Sequence, residues 1–366
     1  MIVAAIGTRP EVIKMASAVQ ALEARHLPVE VVATGQHHDF RMMGAFLGGL
    51  GMQVHHSLDR SSNTLFDSFA EILVGLGRLC GERRPRLVLA VGDTTTVLAA
   101  ALAARKTGAA FGHIEAGLRA FSRELPEEEH RIAADAMADL LFAPTRIAVE
   151  NLSRERVNGE VFLTGNTVLD AVREVVRKPV PPDRREGVLV TVHRQETVDD
   201  PATLAQVLRA FEAVARRNRV VWPVHPRTRD RMAMAGLTMP AGVECVEPLA
   251  YRDFTEMLSR ARLVVTDSGG VQEEAAILGT PCVAVRERTE RPETIDARAG
   301  VLAGTRTDDI LEAFKQIEDE WDVYARPRPH LYGDGRAGEA IARICEEFLA
   351  SREAASVSAA RSAAAR

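Results

Sequence analysis

Short apolar, β-branched runs alternate with amphipathic segments along nearly the whole chain, and this rhythm limits the fold more than any other feature. IVAAIG at 2–7 reads as a strand, and PEVIKMASAVQALEA at 10–24 has helical period. VEVVATG (29–35) and RLVLAVG (86–92) repeat the strand pattern, the second leading into the alanine-rich TVLAAALAARKTG. AAFGHIEAG, LLFAPT and VFLTG continue the series. Alternation of this kind predicts parallel strands joined by crossover helices, an α/β fold. The rhythm breaks at RKPVPPDRREG (177–187), which is proline-rich and charged and reads as a linker. It then restarts with GVLVTVHR, RVVWPVHP, VECVEP, LVVTDS, PCVAV and GVLAG. Two doubly wound halves are therefore expected, 1–176 and 177–337. Their ligand cleft would lie between them, at the carboxyl ends of the strands.

Bulk properties remove several function classes. The 366 residues suffice for two ordinary domains. The net charge of −5 offers no basic surplus for nucleic acid. No apolar run approaches the roughly 20 residues of a membrane span, and MIVAAIGTRPEVIK is too short an apolar run for a signal peptide. Cys80, Cys245, Cys282 and Cys345 are isolated, which fits a reducing compartment and provides no zinc framework. A cytoplasmic location is expected. The last stretch, 353–366, is small and low in complexity and reads as a disordered tail.

Polar residues gather where the predicted strands end. In GTRPEVIK, Arg9 sits at the strand–helix junction and Lys14 just over a turn into the helix. Free N–H groups and two cations suit a phosphate or diphosphate, and an ordinary βα turn with surface charges is an equal reading. In GDTTT, Asp93 and the threonines after it suit a helix cap. HIEAGLR places Glu115 at a strand end, with His113 expected on the same face. In PEEEHR, Glu127 to Glu129 crowd a helix start, where one or two serve the helix dipole. Asp93, Glu115 and Glu127 together supply candidates for an acid–base pair. In the second half, His193 and Arg194 end one strand and His225 ends the next. Ser268, Gly269 and Gly270 form an N–H-rich turn at a helix start, either a phosphate site or a turn required for packing. Glu273 and Glu274 follow; Glu273 reads as a dipole partner or solvated surface.

The chain lacks G-x-x-x-x-G-K-[ST], G-x-S-x-G and HExxH, and its first βα turn lacks G-x-G-x-x-G. The remaining description is a cleft with anion sites on both halves and carboxylates on the first. A nucleoside diphosphate carrying a sugar fits it.

The motifs GTRPEVIKMA, TGQH, GDTTT, HIEAGLR, PEEEHR, FAPT, GNTVLDA, VHR, PVHP, EPLAYRDF, TDSGGVQEEA and LGTPCVAVRERTERPE, in this order, resemble the non-hydrolysing UDP-N-acetylglucosamine 2-epimerases. The resemblance runs from residue 1 to about 350. It implies a GT-B fold, two Rossmann-like domains around a cleft, with a C-terminal helix at 338–352 returning to the first domain. It implies reversible conversion of UDP-GlcNAc to UDP-ManNAc through a 2-acetamidoglucal, with no redox cofactor and no metal, in a homodimer. By the same resemblance, Asp93, Glu115, Glu127 and His193 match the proton-transfer residues. Arg9 and Lys14 match residues near the diphosphate and sugar. Ser268, Gly269 and Gly270 match the phosphate turn, and Glu274 matches the carboxylate on the ribose. Arg194 and His225 are expected beside the substrate.

Several positions depart from the family pattern. HRQET stands where HRREN is usual, which makes Gln195 and Thr197 unusual. His130 replaces an asparagine, the segment between Glu115 and Pro126 is shortened, and Asp39 and Asn63 stand where glutamine is common. These departures raise the expectation that activation by a second UDP-GlcNAc is weakened, or that the sugar differs. A 2,3-diacetamido or uronic acid derivative is the alternative substrate. A hydrolysing 2-epimerase, a GT-B glycosyltransferase and a non-catalytic nucleotide-sugar sensor are rival readings. The intact GTRP and GDTTT patterns speak against the first, and the carboxylates against the other two.

Overall fold

A computed structural model of the chain describes residues 1–35, 52–58, 64–123 and 125–364. Gln36, His37, Asp39 and Asn63, named above, lie outside the described residues. The chain divides into two compact units, Met1–Ala171 with Gly333–Arg366, and Val172–Tyr332.

In the first unit, β1 (Ile2–Ile6), β2 (Val29–Ala33), β3 (His56–Ser57), β4 (Leu87–Val91), β5 (Ala110–Ile114), β6 (Leu140–Ala143) and β7 (Glu160–Leu163) form one sheet. Their order is β3-β2-β1-β4-β5-β6-β7, and every pairing is parallel. Helices cover both faces of such a sheet, so its central strands are apolar throughout rather than alternating. IVAAI and LVLAV are accordingly buried at every residue, whereas the edge strand EVFL is half exposed. The short strand β3 was not anticipated; two residues carry too little pattern to read.

In the second unit, β8 (Val188–Thr191), β9 (Val220–Pro223), β10 (Val243–Val246), β11 (Leu263–Thr266), β12 (Cys282–Ala284) and β13 (Gly300–Leu302) form a parallel sheet ordered β10-β9-β8-β11-β12-β13. Its core joins Val190, Val192, Val265 and Val283 to Phe211 and Trp222, whose rings meet edge to face. Each unit is thus Rossmann-like, the two building blocks of a GT-B fold. Strand order reverses between β1 and β4 in one unit and between β8 and β11 in the other. Within each unit, the turns that follow those strands lie at the switch point where doubly wound sheets bind ligands.

The helix Ala337–Ala364 closes the first unit against the helix Arg9–Ala24. Its first turn is capped by Asp170, which accepts the Ala337 and Gly338 N–H groups at 3.3 and 2.8 Å. Gly338 approaches so closely that a Cβ there would stand 2.5 Å from the Ser17 carbonyl. The backbone stays helical beyond residue 352, through the segment expected as a disordered tail, to Ala364.

Candidate active site

The turn after β1 is Gly7–Thr8, and the helix begins at Arg9. Thr8 and Glu11 make a reciprocal capping box, with Pro10 in the first turn, so GTRPE fixes the start of the helix by itself. Arg9 is exposed there. Lys14, one turn on, reaches the turn after β5 rather than open solvent: its Nζ lies 2.8 and 2.7 Å from the two Glu115 oxygens. Both side chains are largely buried, 12% and 2% exposed. Removing either partner from a pair this dry costs about 3–5 kcal/mol. Asn166 Nδ2 adds a further donor to Glu115 at 3.3 Å, while its Oδ1 accepts the Val168 N–H at a helix start.

Glu115 and His113 do not share a face as expected. β5 ends at Ile114, and Glu115 turns out of the strand with φ +69°, so strand alternation does not reach it. His113 is fully buried, with Nδ1 2.6 Å from Asp135 Oδ1 and Nε2 2.8 Å from the Gly92 carbonyl. Both ring nitrogens face acceptors, an arrangement that favours the protonated ring. Burial works against that charge, but Asp135 and the Gly92 carbonyl outweigh it and hold the imidazole above its ordinary pKa. Asp135 also accepts the Gly117 N–H at 3.0 Å and Arg119 Nη2 at 2.6 Å. Desolvation opposes its charge, yet His113 and Arg119 keep its carboxyl below the usual range. This buried network supports the turn that precedes Asp93.

Asp93 follows β4 and is 28% exposed at its side chain. Arg131 holds its Oδ2 through Nε at 3.1 Å and Nη2 at 2.8 Å, and His130 Nδ1 lies 2.9 Å from its carbonyl oxygen. His130, one of the departures, thus contacts the backbone of a candidate site residue. Of the three glutamates in PEEEHR, Glu128 is buried and structural: it accepts the Ala120 and Phe121 N–H groups and pairs with Arg131. Glu127 is half-buried, and among the described residues no hydrogen bond or ion pair holds it. Glu129 is exposed, 3.7 Å from Arg123.

In the second unit, the turns after β8 and β11 are joined by Asp267. Its Oδ2 accepts the backbone N–H of His193 and of Arg194, both at 2.9 Å. Its Oδ1 lies 3.6 Å from His193 Nδ1. The His193 ring is 38% exposed, tilted against His225 at 5.3 Å between centroids. His225 caps its own helix, Nδ1 accepting the Arg227 N–H at 3.2 Å. Arg194 Nη2 is 3.1 Å from Glu290, which also pairs with Arg286 at 2.6 Å.

Ser268 caps the helix Gly269–Leu278. The two glycines after it differ. A Cβ on Gly269 would collide with Glu290 Oε1, so a side chain there would push that buried carboxylate aside. A Cβ on Gly270 would meet only Ser268 Oγ, at 4.0 Å. Glu273 is not solvated surface: it is fully buried and ion-paired with Arg291. Glu274 is 7% exposed and lies against the Tyr251 hydroxyl; burial and that carboxylate push the phenol well above its ordinary pKa. Glu11, Asp135, Asp267, Glu290 and Arg291 were missed as site-supporting residues. Four of them lie inside the quoted motifs and Asp135 one turn beyond PEEEHR, but the contacts that reveal their roles join them to residues distant in sequence. Among the described residues no group of three or more His, Cys, Asp or Glu side chains is placed to hold a metal ion, and no helix is long and apolar enough to cross a membrane.

A sequence model of one protein family, described as UDP-N-acetylglucosamine 2-epimerase, matches residues 20–346. The chain is 34% identical over 361 residues to a UDP-N-acetylglucosamine 2-epimerase of Methanococcus maripaludis, covering 93% of this chain and 96% of that one. It is 36% identical over 360 residues to a UDP-2,3-diacetamido-2,3-dideoxy-D-glucuronate 2-epimerase of Pseudomonas aeruginosa, covering 94% and 98%. Its structure is similar, with a TM-score of 0.85 and 32% identity, to the Methanocaldococcus jannaschii UDP-GlcNAc 2-epimerase crystallised with UDP-GlcNAc and UDP. That match covers 95% of this chain and 100% of the other.

Proposed function

The chain belongs to the UDP-N-acetylglucosamine 2-epimerase family, and on that premise we propose that it interconverts UDP-GlcNAc and UDP-ManNAc by elimination and re-addition of UDP. A base takes the C2 proton. The C2–H electrons form the C1=C2 bond while the C1–O bond breaks toward the diphosphate. Re-addition forms the C1–O bond again, with a proton delivered to the opposite face of C2. Nothing is consumed, so the step balances without an oxidant or reductant.

The observation that carries this reading is the pair of strand-end carboxylates in the first unit. Glu115 and Asp93 follow neighbouring strands, and a different cation holds each: Lys14 for one, Arg131 for the other. Two carboxylates in unlike surroundings can take unlike acid–base roles. We assign proton transfer to Asp93, Glu115, Glu127 and His193. The diphosphate is assigned to Ser268, Gly270 and Arg194 in the second unit and to Arg9 in the first. Glu274 is assigned to the ribose hydroxyls, and His225 to the His193 side of the sugar. Gly269 serves this site by letting Glu290 approach. Preorganised donors matter here because negative charge grows on the departing diphosphate.

A second reading, the same chemistry on a 2,3-diacetamido uronic acid, is favoured by the Pseudomonas aeruginosa relative and by Gln195, Thr197 and His130. NMR in D2O decides between them. UDP-GlcNAc that gains deuterium at C2 and forms UDP-ManNAc supports the first reading. Exchange only with the diacetamido uronate supports the second. Release of free ManNAc indicates hydrolysis, and absence of exchange with either substrate removes the epimerase assignment. We further assign the enzyme to the cytoplasm, as a homodimer supplying cell-surface polysaccharide precursors. Its four free cysteines and the family resemblance support this, and sedimentation analysis tests the dimer.

A further inference from the structure

Glu11 is the third residue of its helix and is 3% exposed. Its Oε2 accepts the N–H of Gly7 at 2.6 Å and of Thr8 at 2.7 Å. Those contacts complete the capping box and concern the first βα turn alone. The other oxygen, Oε1, accepts the Thr94 hydroxyl, 83 residues away in the turn after β4. A capping box has no need of that contact. Thr94 follows Asp93 directly and caps the helix Thr95–Thr107, accepting the Thr96 N–H at 3.2 Å. The two turns also meet beneath Gly7. A Cβ there would strike the Thr96 hydroxyl and come within 2.8 Å of the Thr34 hydroxyl, and those two hydroxyls are 2.7 Å apart.

We propose that Glu11 is a positioning residue that locks the Arg9 turn and the Asp93 turn into one geometry by accepting hydrogen bonds from both. The inference rests on the epimerase reading, in which Arg9 meets the diphosphate and Asp93 takes part in proton transfer. Asp93 is then fixed from two sides, by Arg131 at its carboxylate and by the Glu11–Thr94 bond through the main chain. A displacement near 1 Å at a reacting group costs roughly 10²-fold in rate. The Glu11–Thr94 bond acts on the Asp93 turn, while Arg9 is one of several diphosphate contacts and those of the second unit do not depend on Glu11, so its loss falls on kcat more than on KM.

A double-mutant cycle tests it. Wild type, Glu11→Ala, Thr94→Val and the double variant are compared in kcat and KM for UDP-GlcNAc and in thermal midpoint. Expected are a fall in kcat of about 10² for Glu11→Ala and about tenfold for Thr94→Val, with KM changed less than about threefold. In the Glu11→Ala background, Thr94→Val costs kcat almost nothing further. Equal costs in both backgrounds overturn the bridge. So does a Glu11→Ala variant that melts earlier yet keeps wild-type kcat, because a cap alone behaves that way. Glu11→Gln restores most of kcat, since its carbonyl can take the two N–H groups and its amide can donate to Thr94. Should Glu11→Ala not fold, Thr94→Ser and Thr94→Val decide: Thr94→Ser retains kcat and Thr94→Val loses about tenfold, and equal rates overturn the proposal. A wild type that neither turns over UDP-GlcNAc nor exchanges its C2 proton refutes the UDP-GlcNAc reading instead. The thermal cycle still measures the Glu11–Thr94 coupling in that case.

Discussion

Glu11 is surrounded by opposing influences. Burial disfavours its charge and nearby Asp93 adds to that, while three donors favour it; the balance lifts its pKa to about 7 from 4.5. A folded pKa above the unfolded one means that stability tied to this group is full below pH 4.5 and lost as pH rises through about 7. The loss amounts to about 3 kcal/mol by pH 8. Glu11→Gln removes the titration, so its stability relative to wild type should grow between about pH 5 and 8 in denaturant melts. A constant difference across that range would place the titrating proton elsewhere. Lys14 yields a second prediction. Lys14→Met removes the cation that neutralises Glu115 and keeps the neutral Asn166 bond. Turnover should fall by about 10² or more, as for Glu115→Gln, while UDP binding holds. Equal loss of UDP affinity would mean that Lys14 serves the diphosphate after all. Asp93→Asn should match that fall. Glu127→Gln is the sharper test, because no bond among the described residues fixes Glu127 in place and its role rests on position alone.

At the scale of elements, the helix Gly269–Leu278 separates what is legible in a sequence from what is hidden. The strand before it is an unbroken apolar run, so strand, turn and helix are legible, as are nearly all the central strands of both sheets. The polar residues at strand ends are legible too, since parallel sheets put their ligands there. What those residues touch is not. Glu273 reads as surface because it is charged, yet this helix is buried nearly all round and Arg291, 18 residues on, neutralises it. Lys14 and Glu115 are 101 residues apart, and no local pattern links them. The two glycines follow the same logic. Gly269→Ala must displace Glu290 from Arg194, so it should lower both thermal midpoint and UDP affinity. Gly270→Ala meets open space in the protein and should lower UDP affinity alone. Identical thermal losses in both would deny that the Gly270 position faces the ligand.

For the whole molecule, the decisive feature is that the first unit is discontinuous while the second is one continuous stretch, Val172–Tyr332. The helix Ala337–Ala364 buries Ile341, Ala342, Ile344, Cys345 and Leu349 in the first unit and takes its cap from Asp170. Periodicity alone offers little sign of this return, because one amphipathic helix looks much like another until its partner is known. Removal of the helix should therefore damage one unit and spare the other. A chain ending at Arg336 exposes the apolar side of the helix Arg9–Ala24, which carries Glu11 and Lys14. Ile341, Ile344 and Leu349, lost at about 1.5 to 3 kcal/mol each, together are comparable with the whole margin of an ordinary domain. The second unit keeps Ser268, Gly270, Glu274, Arg194 and its own core around Trp222. UDP affinity by calorimetry should then fall only by the share that Arg9 contributes, about tenfold, whereas C2 exchange falls at least about 10³-fold, the two carboxylates assigned to proton transfer losing their supports together. A loss of UDP affinity as large as the loss of exchange would show that nucleotide binding rests mainly on the first unit. Retained exchange would show that the last helix does not hold Glu11 and Lys14 in place.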